Sequence, residues 1–543
     1  MLTLSPLYNI HLADSISLSI LLCVSWKFET TTIIIRSLRI EDKNISEGRS
    51  KKLQSMVVEY GVSGRTDIHK HSEEDSTDVC KLAISLIDQD DLEGAKALLV
   101  PLADKNDVSA QFILGIIMLM SDLDAEKHRG CQLIELTAEG GLADAQYVMG
   151  LIYERGSYGI TGNMQKAFEY FSLSAEQFHP PALHSLGEMH LNGEGVPLNY
   201  EEAFHLFHRA AELGYLDSQV CLGNLYERGL GVRQNYEEAA RLYRQSAEQG
   251  NSEAQYYIGY LTGKGYGVER NAMEALEWYK KAAEGGHAPS QYHVGDAYRR
   301  GEGLPKDEKK AVEWFMKSAE QGCYPAQFWL GYAYECGIGI EKDIHKAIEW
   351  YTKSAEHKFC RALQALAGLY YFGTDVPQDH VQAEKWFRAA AEQGDLVATV
   401  FMGVLYKDGT GVTKDDNVAV EWFRKAAEAD YPLGQFYLGI MHEDGAGVEQ
   451  DYHKARELYM AAAEGGIESA QSCLGYLYLE GLGVSEDTVQ ALAWFLIAFS
   501  SGDEDVEEDL NSLMEECTQE EIAKAQQLAA EWLANHPEKI GNE

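Results

Sequence analysis

The closest thing to a chemical signature in this chain is a run of glycines. Gly263-Lys264-Gly265-Tyr266-Gly267 has the look of a phosphate-cradling loop, in which backbone N–H groups and a lysine hold an anion. A phosphate loop follows a strand, whereas this one follows a helical pattern and recurs along the chain, so turn formation explains it. His69, His71, Glu73, Glu74 and Cys80 crowd metal-capable side chains into one polar segment, but their intervals match no zinc-ligand spacing. His205 and His208 stand three apart on a helix, where packing or solvent exposure accounts for them. Paired acids such as Glu201-Glu202 and Glu237-Glu238 open helices and complement the N-terminal dipole. No G-x-S-x-G or H-E-x-x-H phrase is present. The sequence nominates no catalytic residue, no metal ligand and no cofactor site.

The elements that carry these residues repeat. Gly223, Gly259, Gly295, Gly331, Gly403, Gly439 and Gly475 fall on a ruler of 36 residues, and Ala367 takes the one vacant place. Trp278, Trp314, Trp350, Trp386, Trp422 and Trp494 run in step, with Leu458 filling their gap. A period this regular means a stack of equivalent units, each packed only on its neighbours. In the unit 251–286, AQYYIGYL reads as a first helix and the glycine loop ends it. Asn271 caps a second helix with Glu274 three residues on. Ala275, Trp278, Tyr279, Ala282 and Ala283 then form one apolar face, and Gly285-Gly286 closes the unit. The first-helix glycine is expected to admit a neighbouring helix backbone, and the Trp with its following Tyr or Phe to fill the space between hairpins. Looser units surround Gly150 and Gly187, and a degenerate one surrounds Gly115. Residues 501–509 read as an acidic solvated linker, and 519–535 as an amphipathic helix covering the last repeat.

The balance of 46 Lys+Arg against 86 Asp+Glu gives −40, which argues against nucleic acid and against anionic membrane surfaces. No stretch reaches the ~20 apolar residues of a spanning helix. The nine cysteines do not recur at the repeat period and form no CxxC, so a disulfide-stapled secreted array is not expected. Residues 1–55 hold seven Lys/Arg against five Asp/Glu, a break from the acidic remainder that suggests translation starting at Met56.

The phrases A-Q-Y-x-L-G-x-x-Y-x-x-G-x-G-V and D/N-x-x-x-A-x-x-W-[YF]-x-x-A-A-E-x-G resemble the Sel1-like repeat, a relative of the tetratricopeptide repeat. The resemblance implies an all-α, right-handed superhelical solenoid of about eleven helix–loop–helix repeats. It also implies an adaptor or scaffold role, and the last repeat with its Gln/Ala-rich helix is similar to bacterial endings. The expected organisation is an N-terminal extension over 1–76, capping helices over 77–106, repeats over 107–502, and a capping helix with tail over 503–543. Related arrays include exported proteins that bind host proteins, and a cysteine-rich branch linked to β-lactam binding whose paired cysteines this sequence lacks. A cytoplasmic, non-enzymatic protein binder is the leading expectation, with an exported, periplasmic or secreted host-protein binder as the alternative and a β-lactam or peptidoglycan-related enzyme as the lesser one; self-association is left open.

If the array follows tetratricopeptide geometry, first helices line the groove. Tyr256, Tyr292 and Phe328 then stand three before the helix glycine, Tyr260, Asp296 and Tyr332 one after it, and Lys264 and Arg300 five after it. These eight are the candidate contacts for a protein or peptide partner, with the plus-one set expected to be the more exposed.

Overall fold

The computed structural model describes residues 73–536; Met56, His69 and His71 lie outside the described residues. The described residues form 26 α-helices and one short 3-10 turn, and among them there is no strand. The chain divides into two units, the first ending at Trp278 and the second beginning at Tyr279.

Each repeat is a pair of helices, here called A and B. In unit 1 the A helices are Ala143–Arg155, Pro180–Asn192, Leu216–Arg228 and Ser252–Lys264, and the B helices are Met164–Glu176, Tyr200–Glu212 and Tyr236–Glu248. Helix Ala272–Glu284 carries the division between the units. In unit 2 the A helices are Ala288–Arg300, Tyr324–Cys336, Cys360–Phe372, Leu396–Asp408, Pro432–Asp444 and Glu468–Glu480. Their partners are Glu308–Glu320, Ile344–Glu356, His380–Glu392, Asp416–Glu428, Tyr452–Glu464 and Thr488–Ser501. Ahead of the repeats, Glu73–Asp88 and Leu92–Ala103 bury Ala83 and Leu99, and Val108–Leu119 with Asp124–Glu139 forms the degenerate hairpin.

Local chemistry explains the regularity. The B helices begin on Asn163, Asn199, Asn235 and Asn271 in unit 1, and on Asp307, Asp343, Asp379, Asp415, Asp451 and Asp487 in unit 2. Each side chain accepts a backbone N–H of the first turn, a cap that contributes about 1 kcal/mol. Between A and B the chain turns on glycine. Gly337 sits at φ 70°, and a Cβ on Gly339 would collide with the Glu308 carbonyl of the preceding B helix. Gln146, Gln255, Gln291 and Gln327 donate from helix A to Ala138, Ala247, Ala283 and Ala319 carbonyls of the preceding B helix at 3.1–3.2 Å. Those buried bonds fix the register between neighbouring repeats and give the A-Q dipeptide its purpose.

The seam between A and B differs from expectation. The helix-A glycine faces a ring: Phe171, Phe207 and Tyr243 lie against Gly150, Gly187 and Gly223, and Phe315, Tyr351, Phe423, Tyr459 and Phe495 against Gly295, Gly331, Gly403, Gly439 and Gly475. A Cβ on Gly331 would stand 2.7 Å from the Tyr351 ring and 3.1 Å from the Ala347 carbonyl oxygen. After Trp314, Trp350, Trp422 and Trp494 the ring against the glycine is the residue that follows the tryptophan, although Trp278 and Trp494 are themselves buried. Trp314, Trp350, Trp386 and Trp422 are only half-buried, and Lys317, Lys353, Lys385 and Lys425 lie 4.1–4.5 Å over their rings. Where the seam ring is a tyrosine it has a polar tip to satisfy. Tyr243, Tyr351 and Tyr459 donate to Glu227, Glu335 and Glu443 near the end of the same repeat's helix A.

The linker reading of 501–509 is also corrected. The segment runs through a 3-10 turn, Glu504–Val506, into a helix, Glu507–Glu516, because Val506, Leu510 and Leu513 bury at i, i+4 and i+7 amid the acids. The final helix, Gln519–Asn535, opens on a Thr518–Glu521 capping box and sets Trp532 5.8 Å from Trp494.

Candidate protein-interaction surface

Helix A buries one face and presents the other. In Tyr324–Cys336, Ala326, Gln327, Phe328, Leu330, Gly331, Ala333 and Tyr334 are buried, while Trp329 is half-buried and Tyr332 and Cys336 are exposed. The candidates at minus three therefore turn inward. Phe328 sits in the core against Tyr351 and Phe359, so it offers a partner almost nothing. Tyr292 is half-buried against the same core, and burial, with Asp296 nearby, pushes its hydroxyl up to about 12. In unit 1, Tyr256 is half-buried edge-to-face with Tyr257, Tyr260 is half-buried with its ring 6.4 Å from Tyr266, and Lys264 is exposed at the end of its helix.

In unit 2 the structure draws several candidates into one constellation and adds two residues that sequence reasoning missed. Arg299 donates from Nε and Nη2 to Asp296 at 2.9 and 2.7 Å. Its guanidinium lies 3.9 Å over the ring of Trp329, which belongs to the next A helix. Trp329 in turn meets Tyr332 edge-on at 5.6 Å. Tyr332 is 38% exposed, and its hydroxyl is raised first by a hydrogen bond with Cys336. Arg300 reaches Asp296 at 3.3 Å and Glu302 at 3.0 Å and remains exposed. The same contact recurs two repeats on, where Phe401 meets Tyr371 at 5.2 Å and Phe372 at 6.4 Å. In both places the sixth residue of one A helix underlies the last turn of the A helix before it. The signal for Trp329 was its place in the ruler, shared with His293, Phe401 and Tyr437.

Arg, Trp and Tyr are the side chains that dominate protein interfaces, and here they are held by cation–π and ion-pair contacts before any partner arrives. Among the described residues, no group of three or more His, Cys, Asp or Glu is placed to hold a metal ion. No described helix is long and apolar enough to cross a membrane. Burial pushes the thiols of Cys80 and Cys131 up to about 11, so they stay protonated as small apolar core residues.

Such arrays of stacked helix pairs form the class of helical repeat proteins. A Sel1 repeat profile matches ten consecutive segments: 143–177, 180–215, 217–251, 252–287, 288–323, 325–359, 361–395, 396–431, 432–467 and 469–503. The chain belongs to the Sel1 repeat family. It is similar, at 34% identity and a TM-score of 0.68, to c5321, described as a protective antigen present in uropathogenic Escherichia coli strains and displaying an SLR fold. That likeness covers 82% of this chain and 96% of the other. A Sel1 repeat protein from Oxalobacter formigenes is 32% identical over 45% of this chain and 96% of its own, with a TM-score of 0.41. No curated protein matches.

Proposed function

We propose that this protein is a non-enzymatic scaffold that binds a protein or peptide partner on the exposed face of its A helices. The observation that carries the reading is the Arg299–Trp329–Tyr332 constellation, in which an arginine and an exposed tyrosine are held against a half-buried tryptophan at the edge of the core. Ordered anchors lose little entropy on binding, so their contacts convert into affinity. The chain's strong net negative charge favours a protein over a nucleic acid. The test is affinity capture with the full chain beside an Arg299→Ala/Tyr332→Ala variant of equal helicity. A partner held by the parent and lost by the variant supports the reading; one held equally by both moves binding off this face.

The leading placement is cytoplasmic. The description of c5321 as a protective antigen favours one further reading, that this protein performs the same binding role exposed to a host. Protease treatment of intact cells separates the two, since only an exposed protein is cleaved.

A further inference from the structure

Resting on the scaffold reading, a narrower statement comes from one repeat of unit 2 that breaks its own rule. The ninth residue of the A helices is Asp296, Tyr332, Gly368, Val404, Ile440 and Tyr476 in turn. Only Gly368 lacks a side chain. The seam position of that repeat is already filled by Ala367, which is fully buried. A Cβ on Gly368 would meet nothing within 4 Å, and its φ is not positive. No seam, turn or cap requires a glycine there, yet it weakens the helix that holds it. It leaves a notch on the outward face. One helical turn on stands Phe372, 61% exposed, and at the same register of the neighbouring repeats stand Tyr332 and Val404.

The charge along this edge is ordered. The last residues of successive A helices in unit 2 are Arg300, Cys336, Phe372, Asp408, Asp444 and Glu480, and all are exposed. A helix C-terminus carries partial negative charge, so three acids there sit at their least favourable end. The same place in unit 1 holds Arg155, Asn192, Arg228 and Lys264. Composition becomes acidic in the same direction: residues 279–390 balance 15 Lys/Arg against 15 Asp/Glu, a net charge of zero, while 391–536 set 7 against 29. The strip therefore runs from Arg300, ion-paired with Asp296 and Glu302, through Cys336 and Phe372 to three acids.

We infer that this strip takes an extended segment of a partner protein whose own order is acidic, then apolar, then basic. Its acidic end meets Arg300, its main chain comes close at Gly368 with an apolar side chain between Tyr332 and Phe372, and its basic end meets Asp408, Asp444 and Glu480. An extended strand suits the strip better than a folded surface, because one exposed position per repeat is offered and the notch is bare backbone.

The test uses fluorescein-labelled synthetic peptides and the full chain. One peptide carries acidic residues, a Leu-Phe pair and then lysines; the other has the same composition in reverse order. The expected result is that the forward peptide binds at least about tenfold more tightly. The Gly368→Gln variant should lose at least about tenfold of that affinity while melting no earlier than the parent. Asp408→Lys/Asp444→Lys should abolish the preference for the forward order. Equal binding of the two peptides, saturable binding of neither, or full binding by Gly368→Gln would overturn the inference. The scaffold reading fails separately, if the full chain captures no partner at all.

Discussion

Gly331 and Gly368 lie in the A helices of adjacent repeats, and replacing each with alanine should shift stability in opposite directions. At Gly331 the new Cβ stands 2.7 and 2.9 Å from two carbons of the Tyr351 ring and 3.1 Å from the Ala347 carbonyl oxygen. Tyr351 is fully buried and its hydroxyl is tied to Glu335, so the ring cannot swing aside. Overpacking of this kind costs about 1–3 kcal/mol. Alanine's better helix propensity returns about 1 kcal/mol of that, leaving a net loss of up to about 2 kcal/mol. At Gly368 there is no clash to set against the propensity, and the gain is about 0.5–1 kcal/mol. A single melting curve would blur the contrast, since long repeat arrays need not unfold in one step. Native-state hydrogen exchange on peptides from 324–356 and 360–392 localises it. Gly331→Ala should speed exchange in its own repeat, and Gly368→Ala should slow it in the next. If Gly331→Ala protects its repeat as well as Gly368→Ala does, the ring has room to move and the seam argument is wrong.

Three further outcomes follow from the same contacts. Tyr351→Phe should cost about 1 kcal/mol through the lost bond to Glu335, and a double-mutant cycle with Glu335→Met, which removes the acceptor, should recover that coupling; a coupling of zero would show that the pair contributes nothing. His287 caps Ala288–Arg300 through Ser290, and burial, then His293, holds its imidazole down at about 3. The unfolded chain takes up a proton near pH ~6.5 that the folded one refuses, so stability falls as pH drops from there toward 3. His287→Asn keeps a capping side chain and should flatten that limb of the denaturation midpoint against pH; parallel profiles would refute it. Asp307, Asp343 and Asp451 are held below the usual carboxylate range, first by the backbone N–H groups of Lys310, Lys346 and Lys454. Their contribution is complete above the unfolded value of about 3.9 and is lost as pH falls through the lower folded values. Asp307→Asn/Asp343→Asn/Asp451→Asn should blunt the acid transition, with the midpoint measured between about pH 5 and pH 2.

The fold was legible because a fixed period forces one answer. Gln255, Gly259, the glycine loop, Asn271 and the Trp278-Tyr279 pair recur in phase, and each has a local role that the helices confirm. The seam was legible in part: the Tyr or Phe after the tryptophan does fill it, but the tryptophan was given an equal share that Trp314, Trp350, Trp386 and Trp422 do not have, because burial follows the helical face. Ala311, Phe315, Ser318 and Ala319 fall at i, i+4, i+7 and i+8 and all bury, and that set is centred on the phenylalanine and leaves Trp314 at its edge. The helix of 507–516 was hidden because eight acids surround three apolar anchors in 503–516. The Arg299–Trp329 contact joins residues thirty apart on different A helices. The period says that such helices are neighbours, but not which positions of one lie under which positions of the next.

A repeat protein also supplies its own controls. Ten copies of one phrase state what packing alone requires, so a copy that departs from it at an energetic cost points to something other than packing. Ala367-Gly368 moves the glycine from a seam that uses it to a surface that does not. Asp408, Asp444 and Glu480 set charge against the helix dipole at a position that Arg155, Arg228, Lys264 and Arg300 fill favourably. By contrast, Phe178 at φ 60° occupies a turn position where most repeats place glycine, and Arg209 already covers its ring at 5.3 Å. The first two departures leave exposed positions that serve no packing role, whereas the third has a contact within the molecule. That difference sets Gly368 and the acidic helix ends, which lack such a contact, apart from Phe178 with its positive φ.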